Sequence, residues 1–267
     1  MSEKLIFLSH IHEERELALL VKQAIEEEFS GFVTVFVSSD GTSIPAGSNF
    51  LKRIEDGLID CIGAIYLISP SSVKRNWINF ELGAVWIRNI KNLRDGREEI
   101  PAIPVCHSGM TPSNLPQPLN NLNAIPANQA SQLESAFRSL QNAVGGRGSL
   151  RTDFDELARK IINFENTYTI TDRINKIRTI LRGKFSLSKV KSLSNGNYVI
   201  NLYFLSKETF DLVKSLIPIP LKNDFTLFMD GCGLCTFEDG NSIMGGHVDI
   251  ILTPKGLNAL TAILNES

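Results

Sequence analysis

The first half of the chain passes repeatedly from a short apolar run to a single amphipathic segment, and that alternation leaves few folds open. Leu5-Ile6-Phe7-Leu8 is followed by Leu17, Leu20, Val21, Ala24 and Phe29 at near-helical spacing, with Glu16, Lys22 and Glu26 on the outside. Residues 32–37 are β-branched or aromatic throughout, as a strand buried on both faces should be. A Ser-, Gly- and Pro-rich loop over residues 38–48 leads into a helix through Leu51, Ile54, Leu58 and Ile59. A third apolar run at residues 64–68 is broken by Ser69-Pro70-Ser71-Ser72, and a helix is predicted over residues 77–90. A short strand at residues 102–105 precedes a Pro- and Asn-rich stretch to about Asn128, and a last helix is predicted over residues 132–144. Strands separated by single helices predict an α/β unit, a parallel sheet with helices on both faces. In such sheets ligands bind at the carboxyl ends of the strands.

The second half reads differently. Helical segments at residues 154–164 and 170–181 form a connector, followed by strands at 198–204, 225–229 and 247–252 and helices at 208–217 and 254–264. This is a small α+β pattern without internal repeats. The expected division is a domain over residues 1–165, a helical connector over 166–185 and a smaller domain over 186–267. Between Arg173 and Lys191 seven cationic residues occur with no acidic residue among them. They predict a solvated connector, with an anion-binding patch as the alternative.

Composition excludes several classes of function. The 27 Lys plus Arg against 29 Asp plus Glu give a net charge of -2, which disfavours a generally basic nucleic-acid binder. No apolar run approaches the ~20 residues of a membrane helix, and the first residues lack a cleavage-site pattern. Four cysteines in 267 residues fit a reducing, cytoplasmic setting better than a disulfide framework. Cys232-Gly233-Leu234-Cys235 has half of a zinc site's spacing, but even with His247 the ligand set is short of four. Two small buried residues at a hairpin are the expectation, and no metal is predicted. Gly145-Gly146-Arg147-Gly148 lacks the Lys-Ser/Thr of a phosphate-binding loop and reads as a hinge.

Three motifs, in order and suitably spaced, give the first half its character. They are Phe7-Leu8-Ser9-His10-Ile11-His12-Glu13-Glu14; Val37-Ser38-Ser39-Asp40 with Ile44-Pro45-Ala46-Gly47; and Leu67-Ile68-Ser69-Pro70 followed by Trp77-Ile78-Asn79-Phe80-Glu81. Together they resemble the Toll/interleukin-1 receptor (TIR) domain, particularly its bacterial, NAD-cleaving kind, over residues 1–165. The resemblance implies a flavodoxin-like fold with a five-stranded parallel sheet. Phe50 stands where Trp is common in the family, and His10 replaces an aromatic residue.

The resemblance implies an NAD glycohydrolase or ADP-ribosyl cyclase of antiphage type, controlled by self-association, with Glu81 of the W-x-x-x-E motif as the catalytic residue. NAD is then a substrate, no cofactor is needed, and the second domain senses an activating ligand or protein or drives oligomerisation. Trp77 and Glu81 are four apart, so a helix sets them on one face, one turn apart. An indole there can stack on nicotinamide, and a carboxylate can hold ribose hydroxyls and stabilise an oxocarbenium-like charge. Burial beside Trp77 would raise the Glu81 pKa. Ser9 and His10 follow the first strand, where they can meet phosphate or ribose; capping of the next helix by Ser9 or His12 is the alternative. Ser38, Asp40 and Gly47 belong to a loop suited to a substrate-binding lid or an assembly contact. His107, next to Cys106, ends a strand near the expected pocket, but adjacency alone implies no dyad. A non-enzymatic TIR scaffold is the reading from another class, and a nucleotide-hydrolysing or deoxyribosyl-transferring enzyme is a third.

Overall fold

The computed structural model describes residues 4–37, 50–236 and 242–265. The chain divides into two compact units, Met1–Glu165 and Asn166–Ser267. In the first, strands β1 (Lys4–Ser9), β2 (Val33–Val37), β3 (Gly63–Ile68), β4 (Ala102–Cys106) and β5 (Ile125–Pro126) alternate with helices α1 (Arg15–Glu28), α2 (Phe50–Asp60), α3 (Asn76–Arg94) and α4 (Ala130–Val144). Every pairing is parallel, and the strand order is β2-β1-β3-β4-β5. This is the flavodoxin-like order, whose direction of winding reverses between β1 and β3.

The predicted runs become strands because both faces of the sheet are covered. β3 is buried along its whole length, and β1 is buried from Ile6 to Ser9. Phe7 and Phe36 are register partners whose rings stack at 5.6 Å. They belong to a core with Ile54 and Leu58 of α2 and Ile78, Leu82 and Val85 of α3. Gly57 of α2 sits over the two rings, where an added Cβ would lie 3.3 Å from Phe7. Phe32, expected inside a fully buried strand, is 63% exposed: β2 begins at Val33 and forms the sheet edge. The two-residue β5 lies within the Pro- and Asn-rich stretch read as a loop, and is too short to carry a period. Gly145, expected in a hinge, closes α4 in the left-handed region at φ 78°, with its N–H on Asn142 and Gln141 carbonyls.

Helix α5 (Phe154–Leu181) is continuous where the sequence suggested two segments. In the second unit Ile174, Ile177 and Leu181 belong to the hydrophobic core, so this part of α5 is packed rather than merely connecting. They meet Ile200, Leu202, Val213, Val248, Ile250 and Leu260. The strands are β6 (Val190–Ser192), β7 (Tyr198–Leu205), β8 (Phe225–Thr236) and β9 (Ser242–Leu252), in the antiparallel order β6-β7-β9-β8. Helices α6 (Lys207–Ser215) and α7 (Pro254–Asn265) complete the unit. β8 and β9 extend through Gly233, Gly245 and Gly246, which locally read as turn residues, because each strand supplies the other's ladder. Four residues of the cationic run make contacts within this unit. Arg173, Lys184 and Lys189 donate to the carbonyls of Ile217, Tyr203 and Gly183, and Lys176 pairs with Asp172 at 2.6 Å.

Candidate active site

Backbone hydrogen bonding in a parallel sheet ends abruptly at the carboxyl edge, and here the residues just past that edge are polar and buried. Ser9 closes β1, Ser69 and Ser72 follow β3, and His107 follows β4; each is at most 2% exposed. Glu14, at the turn before α1, is completely buried, and Glu81, in the second turn of α3, is 2% exposed. Buried polar side chains need partners, since desolvation is costly without them.

Ser9 Oγ donates to Glu81 Oε2. The Tyr66 hydroxyl donates to the Glu81 backbone carbonyl at 3.4 Å, tying α3 to β3. Burial pushes the Glu81 carboxyl up to about 7, against the opposing pull of hydrogen bonds from Ser9 and Trp77. The same burial carries the Tyr66 phenol well above its ordinary range. Trp77 is 42% exposed and stacks on Phe80 with centroids 4.9 Å apart. The pair four residues apart thus spans the surface: the indole reaches solvent while the carboxylate lies behind it.

A second set of contacts adjoins the first. Glu14 Oε1 accepts from Ser69 Oγ at 2.6 Å and lies 3.3 Å from His107 Nε2, while Oε2 accepts the Ile11 N–H at 3.2 Å. Ser72 Oγ accepts the Ser69 N–H at 2.7 Å and donates to the Leu67 carbonyl. His107 Nδ1 is 3.0 Å from Ser108 Oγ. His10 is pushed down from its ordinary pKa by burial, with the Glu14 carboxylate opposing.

The profile of the TIR-domain family matches residues 6–141, just over half of the chain, from β1 into α4. The chain belongs to the TIR-domain family. Among solved structures it is similar to a metazoan TIR-STING receptor from C. gigas in complex with 2',3'-cGAMP, at 15% identity and a TM-score of 0.37, over 90% of this chain and 72% of that one. A second structure of a TIR-STING receptor from C. gigas shares 16% identity at a TM-score of 0.37, over 76% of this chain and 68% of that one. No curated protein is a significant match.

The TIR domain brings Ser9, Trp77 and Glu81 together and sets His10 directly after Ser9. Neither Ser9 nor His12 caps α1, because a 3-10 turn at His12–Glu14 intervenes and Glu14 takes the cap position. Ser38, Asp40 and Gly47 lie outside the described residues, as do the side chains of Cys232, Cys235 and His247. Among the described residues no group of three or more His, Cys, Asp or Glu could hold a metal ion, and no helix is long and apolar enough to cross a membrane. Sequence reasoning passed over Glu14, Ser69 and Ser72 as site residues. The available signal was a cluster of hydroxyls at the end of a buried strand, beside an acidic residue in the first motif.

A carboxyl near pKa 7 exists in both protonation states at neutral pH, so it can exchange a proton or present charge to a bound cation. An exposed indole beside the carboxyl adds a flat apolar surface. Chemically, the arrangement suits a ligand that combines an aromatic ring, hydroxyls and developing positive charge.

Proposed function

We propose that this TIR domain cleaves NAD at the nicotinamide–ribose bond, with Glu81 as the catalytic carboxylate. The observation that carries the reading is the Glu81 carboxyl, held by Ser9 at the β1/β3 switch point and raised to about 7, behind the exposed Trp77. Nicotinamide leaves as a neutral base, because its ring nitrogen enters as a cation and keeps the electron pair of the broken C–N bond. No general acid is needed for that step, unlike an ordinary glycoside. Glu81 would exchange the Ser9 hydroxyl for a ribose hydroxyl and stabilise the positive charge on the ribosyl carbon. Water captures that carbon, loses a proton and gives ADP-ribose; an adenine nitrogen of the same molecule gives a cyclic isomer.

Trp77 supplies the surface for the nicotinamide ring, and Ser9 and His10 line the ribose or phosphate side. Ser38, Asp40 and Gly47 supply the lid. The second unit acts as the sensor or oligomerisation domain, and the setting is a cytoplasmic, antiphage response triggered by self-association. The exposed side of α3, with Phe80, Trp86, Ile87 and Leu93 all at least 50% exposed, supports a protein-contact surface in the TIR domain. That surface equally favours the second reading, a scaffold without catalysis.

Purified protein incubated with NAD over a wide concentration range, beside Glu81→Ala, separates the two. Release of nicotinamide that is lost in the variant and rises more steeply than linearly with protein concentration is the expected result. Cleavage that survives the substitution would remove Glu81 from the reaction. Absence of cleavage at every concentration favours the scaffold.

A further inference from the structure

We propose that Glu14 is a positioning residue for the Glu81 site, setting the separation between the β1–α1 turn that follows Ser9 and the β3–α3 turn that leads to Trp77 and Glu81. The inference rests on the reading of Glu81 as the reacting carboxylate. Glu14 is 0% exposed, and a buried carboxylate is tolerated only with several good partners. Its hydrogen-bond partners come from two separate segments, and a third segment lies at ion-pair distance. The Ile11 N–H, at 3.2 Å, belongs to the β1–α1 turn; the Ser69 hydroxyl, at 2.6 Å, to the β3–α3 turn; and His107 Nε2, at 3.3 Å, to the end of β4.

The Ile11 bond alone is what a helix-capping carboxylate makes. The other two contacts are not, since they lie 55 or more residues further along the chain. Ser69 in turn organises the start of the next turn: its hydroxyl accepts from the Ser71 and Ser72 N–H groups, at 3.2 and 3.1 Å. The His107 N–H is held by the Ile68 carbonyl at 2.9 Å, so the third partner is anchored to the β3 end as well. One carboxylate therefore ties the ends of β1 and β3 together at the switch point, with the end of β4 lying against it. Ser9 lies two residues before Ile11, and Glu81 lies on the helix that follows Ser69. Slackening this tie lets the two turns move independently, and the Ser9–Glu81 bond is the contact that spans them.

Glu14→Asp separates geometry from charge, because it keeps the negative charge on a side chain one methylene too short to reach all three partners. The test uses the full chain, with kcat and KM for NAD and the titration of the Glu81 carboxyl followed by carbon-detected NMR. Glu14→Asp is expected to lower kcat about tenfold or more with little change in KM, as a displaced catalytic group does. It should also move the Glu81 titration in the same direction as Ser9→Ala, and adding Ser9→Ala should bring little further change. Ser69→Ala, which retains the Glu14 charge and its Ile11 bond, should show the same pattern and serves if Glu14→Asp does not fold. Variants that fold yet leave both kcat and the Glu81 titration at wild-type values overturn the proposal. If the native protein releases no nicotinamide, the NAD reading falls, and the Glu81 titration alone decides whether Glu14 positions the pair.

Discussion

Ser9 and Glu81 are 72 residues apart in the chain, yet the hydroxyl of the first donates to the carboxylate of the second. Ser9 is the last residue of β1, and its register partner on β3 is Tyr66, whose own hydroxyl reaches the Glu81 backbone carbonyl. The adjacent strands β1 and β3 thus hold Glu81 at two points, β1 at the side-chain carboxyl and β3 at the backbone carbonyl. Removing the Ser9 hydroxyl leaves burial less opposed, so Ser9→Ala should raise the Glu81 pKa by about one pH unit above its present value. If Glu81 must be ionised to act, NAD cleavage should shift to more alkaline pH by the same amount. A pH–rate profile of native protein and variant checks both the direction and the size.

Glu81→Gln tests charge against shape. The folded-state value of about 7 lies above the ordinary 4.5, so the native protein binds this proton more tightly than the unfolded chain. Stability from this group is complete below about pH 4.5 and is lost as pH rises through about 7. The difference amounts to about 3 kcal/mol. Glu81→Gln should flatten that part of the stability–pH curve in urea titrations at several pH values. The same substitution should lower kcat for NAD by about 10²–10³, the usual loss when a charge-stabilising group is removed.

Glu28 offers a contrast remote from Glu81. Its carboxylate accepts the N–H groups of Arg151 and Thr152 and the Thr152 hydroxyl at 2.6–3.1 Å, fastening the end of α1 to the segment before α5. Glu28→Ala leaves those donors unmet and should cost about 2–4 kcal/mol, read as a lower urea midpoint. At temperatures where the variant stays folded, nicotinamide release per molecule should match the native protein.

Gly256, in the first turn of α7, packs directly on backbone. A Cβ at this position would lie 2.5 Å from the Asp224 carbonyl oxygen and 3.1 Å from the Phe225 ring. Gly256→Ala should therefore destabilise the second unit by about 1–3 kcal/mol despite alanine's better helix propensity. Hydrogen exchange should report faster opening in β8 and α7, with β1 and β3 of the first unit unchanged.

Apart from β5, the strands and helices of the first unit were legible because each is long enough to show its period. Buried runs at residues 64–68 and 102–105 and the amphipathic α1 are local facts of composition. β5 and β6, at two and three residues, are shorter than any period, and they exist only because a neighbouring strand supplies their hydrogen bonds. The full lengths of β8 and β9 were hidden for a related reason, since glycine reads locally as a turn and only pairing makes it strand. Trp77 and Glu81 could be placed on one helix from their spacing, but not on opposite sides of the protein surface. Spacing gives an angle around the helix axis and says nothing of where the neighbouring sheet ends.

The chain's own pattern of apolar spacing therefore determined the α/β class, the helix faces and the strands that would be buried, because burial preference is a property of each segment. Strand order, and with it the meeting of Ser9 with Glu81 and of Glu14 with Ser69 and His107, was decided only in the tertiary structure. Those contacts join residues 55 to 93 positions apart, across turns whose paths follow from which strands pair. Local sequence can specify that a carboxylate is present at a strand's end. Its partner, and hence its charge and its reactivity, depend on which other strand comes to lie beside it.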